Sequence, residues 1–279
     1  MEKIVQETTF FQEFAKRMGQ SVGPYDPQKL AQRKLKTLLD QEGTLPGFRC
    51  EKCKNRGHIP RLREDLTFVY RECDCMDMRR TLLRMEESGL GDVLNDYRFV
   101  NFQTPEPWQR SAKEAAASYA NDPKGWFFVG GQSGSGKTHL CCAIAGQLMR
   151  SGKRLVYMPW CQDAPRLKLG RYENKAAMEL LESIKTAPVL YIDDLLKTPA
   201  GPQGRQSPTN ADVILAFEII NYRYLQKLPT VISTELYPEE LNAIDEAMAG
   251  RIVERSGEYT LRIKRDVKKD FRMKGVLEL

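Results

Sequence analysis

The chain has 279 residues, 41% of them hydrophobic and 29% charged, with a formal net charge of +6. That length holds one large domain or two smaller ones, and the composition excludes a disordered or fibrous chain. No apolar run is long enough to span a bilayer and the start, MEKIVQETTF, lacks a signal-peptide pattern, so the expected compartment is the cytoplasm and no membrane partner is expected.

Residues 1–45 read as polar and helical. In QKLAQRKLKTLLDQEG, Leu30, Leu35, Leu38 and Leu39 approximate one helix face, Asp26-Pro27 offers an N-cap and first-turn proline, and Gly43 a stop. Residues 46–76 change character. Cys50-x2-Cys53 and Cys73-x-Cys75 stand nineteen residues apart. Two such knuckles can close a tetrahedral thiolate site for Zn2+, with His58 as a possible substitute ligand. The site would be structural, because a segment with so few apolar residues needs a staple. Around it, six basic residues (Arg49, Lys52, Lys54, Arg56, Arg61 and Arg63) face one acid, Glu51, as a nucleic-acid contact or as a solvated surface. Residues 77–95 read as a short helix. Residues 99–108, FVNFQTPEPW, carry two prolines and read as a linker, which places the boundary between an N-terminal domain, 1–96, and a second domain, 97–279.

From 109 onward helices and short apolar strands alternate. The spacing predicts strands at 126–129, 154–158, 189–192, 230–233 and 259–263. Helices are predicted at 109–121, 138–150, 163–185, 210–226 and 238–254, with a Pro- and Gly-rich loop at 197–209. The pattern implies an α/β domain with a five-stranded parallel sheet covered on both faces.

Gly131-Gln132-Ser133-Gly134-Ser135-Gly136-Lys137-Thr138 follows the strand WFFVG and opens the helix THLCCAIAGQLM, which is the full P-loop pattern in its proper context. The glycines let the backbone N–H groups curl around phosphate, and the helix N-terminus adds its dipole. Lys137 is placed for the β- and γ-phosphates and the Thr138 hydroxyl for Mg2+. The strand VLYI ends in Asp193-Asp194, where Asp193 would hold the metal and Asp194 orient or deprotonate the attacking water. Aspartate reaches one methylene less far than glutamate, so the expected ATP hydrolysis is slow. Strand 230–233 is expected between the two motif strands, with Thr234, or Ser233, as a sensor of the γ-phosphate or as a hydroxyl satisfied locally. Arg251 is the candidate for completing a neighbouring subunit's site, with Arg223 and Arg255 as rivals. Cys141, Cys142 and Cys161 read as small core residues or bystanders.

GQSGSGKTHL, including His139, then YIDDLLK, EIINYRYLQKLPTVISTEL and AGRIVERS together resemble the helicase loaders of the DnaC/DnaI type over roughly residues 97–270. These are AAA+ ATPases of bacteria and phages, related to the IstB-type transposition ATPases. The resemblance implies an ATP- and magnesium-dependent AAA+ domain with an Asp-Asp Walker B, an arginine acting in trans at Arg251, and no helical lid after the last strand. It also implies self-association through the ATPase domain, a replicative hexameric helicase bound by the N-terminal helices, and single-stranded DNA gripped between the two Walker strands. Tyr157, Trp160, Arg166, Lys168 and Arg171 lie in that DNA-gripping region, though Tyr157 also reads as core; the basic stretch 261–274 is a second candidate phosphate contact. Phage-type relatives carry a similar Cys-rich segment, which favours a loader over a transposition helper. A nucleotide-switched DNA-binding module without hydrolysis is the third reading. The chain departs from many relatives in one place: Glu235, where they have Asn, follows Thr234.

Overall fold

The computed structural model describes residues 26–87, 90, 96–170, 174–198, 200–201, 204–205 and 207–273. The N-terminal 25 residues, Arg171, Lys274 and most of 88–95, on which expectations also fell, lie outside the described residues. The chain divides into two compact units, Met1–Met76 and Asp77–Leu279. The composition instead grouped residues 77–96 with the N-terminal segment. Met85, fully buried, packs in the second unit's core, which is why that stretch clusters there.

In the first unit, helix α1 (Pro27–Asp40) starts where expected: the Asp26 carboxylate accepts from the N–H groups of Gln28 and Lys29, with Pro27 in the first turn. None of its residues is fully buried: Leu30 is 56% exposed and Leu39 36%, while Leu35 and Leu38 are half-buried. Between the cysteine pairs the chain forms an antiparallel hairpin, β1 (His58–Leu62) and β2 (Phe68–Glu72), which the sequence reading had not anticipated. Pro60 sits in β1, tolerated because a two-stranded ribbon has only edge strands. The hairpin brings the two knuckles together: the Cys73 N–H donates to the Gly57 carbonyl at 2.9 Å.

The second unit begins within helix α2 (Cys75–Glu87) and continues through α3 (Pro107–Asn121), β3 (Trp126–Gly131), α4 (Lys137–Arg150) and β4 (Leu155–Pro159). The predicted helix 163–185 is two, α5 (Trp160–Gly170) and α6 (Lys175–Thr186), the second opened by an Asn174 N-cap. β5 (Val189–Asp193) is followed by a small hairpin, β6 (Ala200–Gly201) with β7 (Gly204–Arg205), inside the expected loop. Then come α7 (Asn210–Leu225), β8 (Thr230–Thr234), α8 (Pro238–Ile244), α9 (Glu246–Ser256) and β9 (Thr260–Ile263). The predicted helix 238–254 is likewise split, because Asp245 is extended and caps α9 through the Met248 N–H.

The sheet order is β4-β5-β8-β3-β9, and every pairing is parallel. β8 lies between the P-loop strand and the Asp-Asp strand, as expected. In β3, Trp126 and Phe128 face one layer, with α5, α6, α7, α8 and α9. Phe127 and Val129 face the other, with α3 and α4. All six residues of β3 are buried, as a doubly covered parallel strand requires. Both nucleotide motifs therefore open at the C-terminal ends of strands that flank β8, on the edge of the sheet where open α/β sheets place their ligands.

Candidate active site

The P-loop runs from the end of β3 into α4. Gly136 precedes the helix at φ 89°, and a Cβ there would meet the Phe102 ring at 3.0 Å. The Lys137 ammonium, 6% exposed, donates to the carbonyls of Gly131 at 3.0 Å and Gln132 at 2.7 Å. Burial lowers its pKa, against the pull of Glu235 and Asp194.

Thr138 and Asp193 meet. The Thr138 hydroxyl donates to Asp193 Oδ1 at 3.3 Å, Ser233 Oγ at 2.5 Å and the Tyr191 hydroxyl at 2.8 Å to the same oxygen, while the Tyr157 hydroxyl reaches Oδ2 at 3.3 Å. Burial, then the charge of Asp194, raise the Asp193 carboxyl above its ordinary value; the hydroxyls pull it back. A deeply buried carboxylate fed by four neutral donors, beside a P-loop hydroxyl, is a donor set suited to a hard divalent cation such as magnesium. Tyr157 is buried, as its strand position implied, but its hydroxyl has this polar task as well.

Asp194 adopts the left-handed conformation (φ 58°), which aims its carboxylate into the cleft. Its N–H donates to Ser233 Oγ at 3.0 Å. Ser233 thus links the two aspartates. Thr234 does not face the cleft: its hydroxyl donates to the Leu195 carbonyl at 2.8 Å and accepts from the Leu236 N–H at 3.1 Å. Glu235 lines the cleft instead.

The cleft encloses about 380 Å³. Besides Ser133, Gly134, Gly136, Lys137, Thr138, His139 and Asp194, its walls include Tyr97, Asn101, Phe102, Gln103, Lys197, Phe271 and Arg272. The expected linker at 99–108 is therefore part of the site. His139 stacks on Tyr97 at 4.6 Å and meets Phe102 edge-on at 5.1 Å. Its Nε2 lies 3.0 Å from the Arg98 carbonyl, and burial lowers its pKa. The segment after β9 returns across the P-loop. The Asp266 N–H donates to Gln132 Oε1 and the Phe271 N–H to the Gly134 carbonyl, both at 2.9 Å. No local periodicity foretells these partners, which lie more than a hundred residues away in sequence.

The arginines separate. Arg223 is wholly buried and donates to the carbonyls of Ile184, Lys185, Ala187 and Pro229 and to Thr230 Oγ1; burial pushes it down to about 9. It is an internal clamp, which removes it as a rival trans-acting group. Arg251 lies outside its own chain's cleft, over the rings of Phe217 at 5.2 Å and Tyr224 at 5.5 Å. Arg255 contacts only the Lys227 carbonyl, at 3.5 Å, among its described hydrogen bonds. Of the candidate DNA-contacting residues, Trp160 is buried in the core, Lys168 is paired with Asp212 at 2.6 Å, and Arg166 is exposed. In the basic C-terminal stretch Arg262 pairs with Glu239 and Arg265 with Glu240, so these charges are already used internally.

In the first unit, the sulphurs of Cys50, Cys53, Cys73 and Cys75 all lie within 4.8 Å of one another, with Cys50–Cys73 at 3.9 Å and Cys53–Cys75 at 3.5 Å. Tetrahedral thiolates around zinc stand about 3.8 Å apart, so the donor set fits. Burial opposes ionisation of Cys53, but the Gly57 N–H and the neighbouring sulphurs lower it to about 7. His58 is not in the cluster; its ring meets Tyr70 edge-on.

A family model described as IstB-like ATP binding protein matches residues 64–266. The chain belongs to this family. The phage-like element PBSX protein XkdC of Bacillus subtilis is 30% identical to this IstB-like chain over 86% of it and 91% of the relative. The replicative helicase loader DnaC of Buchnera aphidicola is 23% identical over 88% and 89%. Among solved structures, the DnaC helicase loader superposes with a TM-score of 0.47 at 22% identity, covering 61% of this chain and 97% of that one. The protein is a DnaC-like AAA+ ATPase. No helix among the described residues is long and apolar enough to cross a membrane.

Proposed function

We propose that this protein is an ATP-driven loader of a hexameric replicative helicase. The observation that carries the nucleotide half of this reading is the meeting of Thr138 and Asp193 at 3.3 Å, with Asp194 beside them on the cleft wall. In this reading the backbone from Gly131 to Gly136 cradles the phosphates, Lys137 leaves its carbonyls for the β- and γ-oxygens, and Asp194 orients the attacking water. Thr138 and Asp193 would hold magnesium, which supplies neutralisation of phosphate charge. Tyr97, Phe102 and His139 form an apolar, aromatic wall suited to the base. Arg251, outside its own cleft, acts on the site of a second copy.

The loader half rests on the similarity to helicase loaders along most of the chain, first unit included. Zinc held by Cys50, Cys53, Cys73 and Cys75 staples that unit, and α1, with Leu30 and Leu39 exposed, serves the helicase. Arg166, exposed on α5, is one described candidate for single-stranded DNA. The test is capture of the cognate replicative helicase by the full chain with ATP and with ADP. A complex that depends on the nucleotide supports the reading, and no complex with either counts against it. The family match itself favours a second reading, a helper ATPase in transposition; capture of a transposase instead of the helicase would select it. ATPase activity that DNA leaves at zero would select the nucleotide-switched module.

A further inference from the structure

The cleft contains a second lysine. Lys197 is three residues beyond Asp194, on a turn in which both Asp194 and Leu196 have φ 58° and the Lys197 N–H donates to the Asp194 carbonyl at 2.9 Å. This turn folds the side chain back into the cleft. Its ammonium stands 2.8 Å from Asp194 Oδ2 and 3.1 Å from Glu235 Oε1, and all three residues line the same cavity as Lys137 and Thr138. Lys197 thus holds Asp194 on one side and Glu235 on the other.

We propose that Lys197, braced by Glu235, reads the terminal phosphate of the nucleotide and gates Asp194. The inference rests on the ATP reading above. In the observed geometry the ammonium occupies a lone pair with which Asp194 would take a proton from water. A γ-phosphate beside Lys137 brings oxygens that carry more charge than one carboxylate. An ammonium is a compact point charge with three donors on a flexible stem, so it can exchange Asp194 for a phosphate oxygen while keeping Glu235. Asp194 is then free to act on water. A diphosphate does not fill the terminal position, and Lys197 stays on Asp194. The arrangement explains why Glu235, rather than Thr234, faces the cleft: the strand-end hydroxyl is satisfied by backbone, and the acid one position later anchors the lysine that does the reading.

The experiment is equilibrium binding of ADP and of a non-hydrolysable ATP analogue, with magnesium, to the full-length wild type and to Lys197→Met, Lys197→Arg and Glu235→Gln. A charge-assisted hydrogen bond lost from one ligand only should appear as roughly a tenfold or greater loss of preference for the triphosphate. We expect that loss in Lys197→Met, with ADP affinity kept within about twofold as a control on the fold. Lys197→Arg, with its charge retained, should keep most of the preference, and Glu235→Gln should lose part of it. Equal losses for the two nucleotides in Lys197→Met, or no change in either, overturn the assignment of Lys197 while leaving the ATP site intact. Failure of the wild type to bind either nucleotide overturns the ATP reading, and this inference with it.

Discussion

Asp193 carries an unusual burden for a surface-derived charge: it is 9% exposed, touches no cation among its described partners and is served by four hydroxyls. Its raised pKa fixes the sign of its effect. A carboxyl raised above its unfolded value stabilises the fold while protonated, at pH below the ordinary carboxylate range, and that contribution is lost as pH rises through the raised value. At neutral pH the buried anion weighs against folding until magnesium compensates it. Asp193→Asn should therefore raise the thermal midpoint of the nucleotide-free protein at pH 7–8, since the amide keeps the shape without the charge. The gain should shrink towards pH 4, and hydrolysis should fall by about a hundredfold or more. A midpoint that drops equally at both pH values would show that Asp193 is held for structure. This residue was legible from sequence, because an apolar strand ending in two aspartates has few other uses beside a P-loop. Its hydroxyl partners were not: Tyr157 and Tyr191 sit in strands whose alternation announces burial, and burial hides a polar tip. Lys197 and Glu235 were equally silent as a pair, since nothing local joins a turn after β5 to the end of β8.

At the scale of elements, the five strands are legible as apolar runs and β8 lies between the two motif strands as expected, but nothing in those runs places β4 and β9 at the edges. Each of the two long helical stretches, 163–185 and 238–254, conceals a break. Asn174 and Asp245 are N-caps within stretches that otherwise keep helical periodicity, and each starts a new helix where one was expected. The cysteine hairpin was missed for a related reason: HIPRL and FVYRE show neither clean alternation nor an apolar run, and they pair because the knuckles at their ends do. Arg223 is the clamp between elements that the sequence disguised as a surface arginine of α7. It ties the end of α6, the approach to β5 and the start of β8 through five hydrogen bonds. Arg223→Met keeps the volume but leaves the carbonyls of Ile184, Lys185 and Ala187 without this donor, and breaking a buried network of this kind costs about 3–5 kcal/mol. Chemical denaturation should show that loss, with the slope of the transition unchanged. Lys137→Ala, by contrast, should abolish ATP hydrolysis with a smaller loss of midpoint, because among the described residues that lysine donates to two carbonyls only, those of Gly131 and Gln132.

At the scale of the whole chain, the two units differ in what holds them. The second has two extensive apolar layers around its sheet. The first has a buried cluster made of Cys50, Cys53, Cys73 and Cys75, flanked among the described residues by Phe48, Ile59 and Met76. No residue of its helix α1 is fully buried and its hairpin is a two-stranded ribbon, an assembly that water does not stabilise unaided. Four thiols clustered without a metal would repel as they ionise, and with zinc they become the strongest bonds in the unit, with metal binding and folding a single equilibrium. The protein as isolated should therefore hold about one zinc per chain. A strong chelator should melt the first unit, seen as loss of amide-exchange protection across the hairpin, while ADP affinity of the second stays within about twofold. Cys53→Ser should reproduce the effect without chelator, because a neutral serine is a poor zinc ligand. Full protection of His58–Glu72 after complete removal of metal would mean that the cysteines fold the knuckles by packing alone, and the zinc assignment would fall.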